Sequence, residues 1–160
     1  MNRKIKNIIN IAAFLVCIGL INIAGQNIEI EIRGINAFTF ILIVAVLLQI
    51  IFFIPSFLLK TEKYYDLVGS LTYIATVSLA YFSVENKTMI DSVIYFYVMI
   101  WASRLGIYLF TRVRNVGKDV RFEKAKRHFF YFLQYWMGQA LWVSLTAVSY
   151  THLTLPTNGL

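Results

Sequence analysis

Few residues in this chain can do chemistry, because 59% of its 160 residues are hydrophobic and only 14% are charged. Three places hold the candidates. Arg104 stands inside an apolar run with Trp101 three residues before it and Tyr108 four after, so on a helix all three share one face. A guanidinium there either snorkels to the interface, stacks on the two rings, or lines a cofactor or substrate pocket. Tyr65-Asp66 stands where a polar connection enters the next apolar run. An aspartate in that place either caps the helix or supplies a proton-relay or substrate contact. The third is the basic stretch Thr111 to His128, with Asp119 and Glu123 among seven cations. It reads either as a solvated loop drawn to anionic lipid or as a platform for a phosphorylated ligand. Glu123 and Arg127 have favourable helical pairing distance.

Other chemistries are poorly served. Asp119 stands where a P-loop requires Ser or Thr. His128 has no cysteine or carboxylate at ligand spacing, so no metal site is expected. No serine or cysteine has a histidine partner in a recognisable pattern. Cys17, the single cysteine, excludes an intrachain disulfide.

The elements that must position these residues are apolar runs at 8–24, 37–59, 67–84, 92–110 and 129–147, each near the roughly 20 residues that cross a bilayer as helix. They predict an all-α integral membrane protein with five spans. A barrel would show short alternating segments. The first run follows Arg3, Lys4 and Lys6 but lacks a small-x-small cleavage site, which makes it a retained helix and not a signal peptide. Twelve of the 15 cations lie before the first run or in the connections 60–66 and 111–128, against Arg33 and Lys87 in the other two. This asymmetry puts the N-terminus and the long basic connection in the cytoplasm. The net charge of +7 then reports topology and not nucleic acid. Gln49, Gln134 and Gln139 are expected to hydrogen-bond between helices, and Gly69, Ser70 and Gly138 to permit close packing.

The tail changes character. Ala147 to Thr157 matches one reading frame of the adapter used in transposase-based sequencing libraries. Residues 147–160 are therefore expected to be adapter-encoded, His152 and Tyr150 to carry no function, and 1–146 to be a partial membrane domain, the N-terminal part of a larger helical bundle.

Trp101, Arg104, Leu105, Tyr108, Leu109, Arg112, Gly117, Asp119, Arg121 and Phe122, with Tyr65-Asp66 and Gly69 upstream and Gln139-Ala140 downstream, form a pattern that resembles the steroid 5-alpha-reductase-like membrane family, in its bacterial uncharacterised branch. The resemblance covers Phe53 to Thr146. It implies an NADPH-dependent reduction of a carbon–carbon double bond in a lipid-like or steroid-like enone, carried out in the bacterial cytoplasmic membrane. It also implies cofactor-site or supporting roles for Arg104, Asp119 and Arg121, and substrate-side acid or hydrogen-bond roles for Asp66 and Tyr65. The family's C-terminal cofactor signature is absent before the tail begins, so these 160 residues alone are expected to be inactive. Two alternatives are a small non-enzymatic membrane subunit and a membrane methyltransferase using S-adenosylmethionine.

Overall fold

The computed structural model describes residues 3–26, 30–32, 34–84, 86–117 and 119–154, excepting the side chains of Arg3 and of 147–154. Arg33, Lys118 and residues 155–160 lie outside the described residues, as do the tail side chains on which the adapter reading rests. Five long helices account for most of the chain: α1 (Arg3–Ala24), α2 (Ala37–Leu58), α3 (Tyr65–Ser83), α4 (Met89–Val116) and α5 (Phe129–Thr154). Between α1 and α2 lies a two-residue hairpin, β1 (Glu31–Ile32) paired antiparallel with β2 (Ile35–Asn36), which the apolar pattern did not predict.

Local chemistry sets the helix ends. The Asn36 side chain accepts from the amides of Phe38 and Thr39 and starts α2. Thr88 and Asp91 form a reciprocal capping box that starts α4 three residues before its apolar run. That helix outlasts the run by six residues and ends where Gly117 adopts a left-handed φ of 82°, its amide donating to the Val113 carbonyl. The expected loop from Thr111 therefore begins as helix.

Three helices, Lys4–Ala24, Ala37–Leu58 and Met89–Val116, are long and apolar enough to cross a membrane. The other two carry much of the polar interior. α3 packs against α2, α4 and α5, and buries Ser70, Thr72 and Thr76. The Gln49 amide donates to the Thr72 hydroxyl at 3.0 Å, while Asn10 donates to Gln134 at 3.2 Å, joining α2 to α3 and α1 to α5 as expected of those two glutamines. Gln139, of which the same was expected, has a buried Oε1 without a partner among the described residues. Small residues set the approach of α3. A Cβ at Gly69 would stand 2.1 Å from Gln139 Nε2, and one at Gly106 would stand 2.4 Å from Ser70 Oγ. At Gly106 an added Cβ would also meet Ser70 Cβ at 2.6 Å and push α3 from α4, whereas at Gly69 the end of the Gln139 side chain would have to turn aside.

The connection after α4 is not a solvated loop. It folds as two short 3₁₀ turns, Val120–Phe122 and Ala125–Arg127, which buries Phe122 and Ala125 in one cluster with Phe53, Val68, Phe132 and Trp136. Burying an aromatic ring stabilises by about 1.5–3 kcal/mol. That is enough to hold a stretch rich in like charges against the helix ends. Because these turns are not α-helical, the Glu123–Arg127 spacing lacks the helical geometry expected of it.

Candidate functional site

The docked connection meets the start of α3, and their charged side chains converge. Asp66 belongs to the first turn of α3 and is not its cap, a position that Tyr64 takes without a side-chain bond. Asp119 opens the first 3₁₀ turn by accepting from the Arg121 amide at 3.0 Å. The Arg121 side chain then folds back, its Nε 3.0 Å from both Asp119 oxygens and its Nη2 2.5 Å from Oδ2. The same Nη2 lies 3.5 Å from Asp66 Oδ2, and Arg112 approaches Asp119 at 3.9 Å. One arginine thus bridges two carboxylates that lie 53 residues apart in the chain.

The two carboxylates are tuned in opposite directions. Burial pushes Asp66 up from the usual carboxylate range, with Arg121 opposing and Asp119 reinforcing the shift. The hydrogen bond from Arg121 holds Asp119 below that range. Opposite shifts in neighbouring carboxyls separate an acid from a permanent anion. Beside them Tyr65 lies on the Phe122 ring, centroids 4.7 Å apart, and donates its hydroxyl to the Tyr135 carbonyl at 3.0 Å. Burial raises the Tyr65 hydroxyl pKa.

Glu62 was not foreseen. It is 4% exposed, accepts from Lys126 Nζ at 2.7 Å through Oε2, and accepts from the Asp119 amide at 3.2 Å through Oε1. Its place among Lys60 and Lys63 was the available signal: an acid in a basic connection invites a cation from elsewhere.

Arg104 lies apart from this cluster. It lines a groove on the exposed side of α4 with Trp101, Leu105 and Tyr108, the shared face that the spacing predicts. Trp101 turns its edge to Tyr73, ring centroids 5.4 Å apart. Of the five sequence candidates, the structure brings together Tyr65, Asp66, Asp119 and Arg121, and leaves out Arg104.

A cradle for the phosphates of a nicotinamide cofactor needs net positive charge. Asp66, Asp119, Arg112 and Arg121 sum to zero with both acids ionised, and Arg121 already serves two carboxylates. As arranged, the cluster does not fit a phosphate, which needs surplus positive charge.

Residues 52–159, or 108 of 160, match the family described as "Protein of unknown function (DUF1295)". The chain belongs to that family. DUF1295 is the steroid 5-alpha-reductase-like family of the sequence resemblance. The DUF1295 match contains every residue of the charge cluster and Arg104, leaves out α1 and most of α2, and overlaps the segment expected to be adapter-encoded. Neither the curated proteins nor the solved structures gave a match.

Proposed function

We propose that the chain is the N-terminal part of an integral-membrane reductase that saturates a carbon–carbon double bond of a lipid-like or steroid-like enone at the expense of NADPH. In this reading all five helices span the bacterial cytoplasmic membrane. The N-terminus and the connections 60–66 and 111–128 are cytoplasmic, and the natural protein continues beyond residue 146. Three contacts support putting those basic segments at one end: Lys126 with Glu62, Arg121 with Asp66, and Lys4 over the Phe130 ring at 5.6 Å.

The single observation that carries the catalytic reading is Asp66, a partly buried acid with a raised pKa, held by an arginine that a second carboxylate keeps in place. A protonated carboxyl can hydrogen-bond a substrate carbonyl and so polarise a conjugated double bond. Arg121 and Asp119 hold that acid in position, and Tyr65 packs beneath the connection that carries them. NADPH would supply the hydride when bound, held elsewhere than at the four-charge cluster, which lacks surplus positive charge.

The test is to express the protein through its natural reading frame beyond residue 146 and measure enone-dependent NADPH oxidation in detergent. Oxidation that depends on the enone supports the reductase. Transfer of a methyl group from S-adenosylmethionine, with no NADPH consumed, would replace it by the methyltransferase alternative.

A further inference from the structure

A cavity of about 560 Å³ opens between the first turns of α1 and α5, separate from the Asp66 cluster. Its cationic wall is Lys4, Arg127 and His128, and its other wall is Phe129, Phe130 and Tyr131. No carboxylate lines it. Among the described residues, neither Arg127 nor His128 has a carboxylate partner.

Two further observations point to an anion. The first i→i−4 bond of α5 runs from Phe132 to the His128 carbonyl, so the amides of Phe129, Phe130 and Tyr131 have no intrahelical acceptor. They lie at the positive end of a 26-residue helix dipole. Independently, Asn7 is 8% exposed, lines the cavity, and has no hydrogen-bond partner among the described residues. Its carboxamide is therefore available to bond a ligand in that space. Open amides, an arginine, an imidazole and an unpartnered carboxamide facing one space are the donors that a phosphate accepts from.

We propose that this cavity is a binding site for a phosphate-bearing group the size of a glycerophospholipid headgroup. Its volume exceeds a bare phosphate and falls in the range of small-molecule sites. Tyr131 suits the glycerol and acyl-ester part, since tyrosine favours the interfacial depth of a bilayer, and Phe129 and Phe130 offer it an apolar wall. The site is independent of the reductase reading.

The experiment titrates the detergent-solubilised 160-residue chain with short-chain phosphatidylglycerol, short-chain phosphatidylcholine and inorganic phosphate, following the thermal-unfolding midpoint. Phosphatidylglycerol is expected to raise the midpoint saturably and more tightly than phosphatidylcholine. Arg127→Gln, an exposed and structurally mild change, should weaken it about tenfold, the worth of one charge-assisted bond. Lys63→Gln, an exposed cation outside the cavity, should leave it unchanged. Asn7→Ala should weaken binding without abolishing it. Saturation by inorganic phosphate at equal affinity, with the same Arg127 dependence, would support the phosphate site and assign it to a free phosphate. Absence of saturation by all three ligands, or saturation indifferent to Arg127→Gln, overturns the proposal.

Discussion

Lys126 donates to the buried carboxylate of Glu62 at 2.7 Å, and the same carboxylate's second oxygen accepts from the Asp119 amide. The connection before α3 is thereby fastened to the one after α4 immediately beside the residues that hold Asp66. This fastening adds to the docking of Phe122 and Ala125 and to the Arg121–Asp66 contact that already hold the connection.

Removing one member of a buried pair costs about 3–5 kcal/mol, because the survivor is stranded, whereas removing both costs much less. Lys126→Ala, which strands the buried Glu62 carboxylate, is therefore expected to lower the unfolding midpoint strongly, and Glu62→Ala with Lys126→Ala to recover much of the loss. A thermal-unfolding double-mutant cycle measures this. Additive losses would mean that the two side chains act separately.

The opposite tuning of the two carboxylates gives a pH dependence with a defined order. Asp119 is depressed, so its stabilisation is complete above its unfolded value and is lost as pH falls through its folded value. Asp66 is raised, so its protonation on acidification relieves a burial penalty and favours the folded chain. Falling pH should first neutralise Asp66 and leave Arg121 to Asp119. Only below the ordinary aspartate value, about 3.9, should the connection loosen. Hydrogen-exchange protection of residues 119–127, taken relative to the unstructured chain at each pH, is expected to persist at about pH 5 and to fall toward about pH 3. Asp119→Asn should already have lost that protection at neutral pH. Loosening of the wild type at about pH 5 would contradict the order.

Gly69 and Gln139 cannot both be enlarged. A Cβ at Gly69 would enter the space of the Gln139 amide at 2.1 Å, so Gly69→Ala should destabilise by about 1–2 kcal/mol. Combining it with Gln139→Ala should cost less than the sum of the two. Equal costs in a urea or thermal series would show that Gln139 swings away freely.

How much of this was legible beforehand depends on range. The apolar runs marked all five helices. α2, expected over 37–59, forms as Ala37–Leu58, because its two ends are set by chemistry within a few residues. α4 was drawn too short because its last turns, through Arg112 and Arg114, are polar. Only Gly117 in the left-handed region ends it, and a polar helix turn has no hydropathy signal. The cluster was half visible. Asp66, Asp119 and Arg121 could be named as candidates, but what joins them is one guanidinium reaching across 53 residues of sequence. The position of Glu62 in a basic connection was readable, but its partner was not, because Lys126 lies 64 residues away. The docking of the connection turns on Phe122, one aromatic ring in a charged stretch, which local composition reads as solvated.

In the proposed reading Arg121 acts on Asp66 and not on the cofactor. The direct measurement is made on Arg121→Ala in the protein continued through its natural reading frame, recording NADPH affinity and the pH profile of kcat together. Removing the guanidinium takes away the cation that lowers the Asp66 pKa and leaves Asp119 to raise it further. The alkaline limb of the profile, set by the protonated acid, should therefore move to higher pH while NADPH affinity stays the same. A large loss of NADPH affinity with an unmoved profile would contradict the account and return Arg121 to the cofactor.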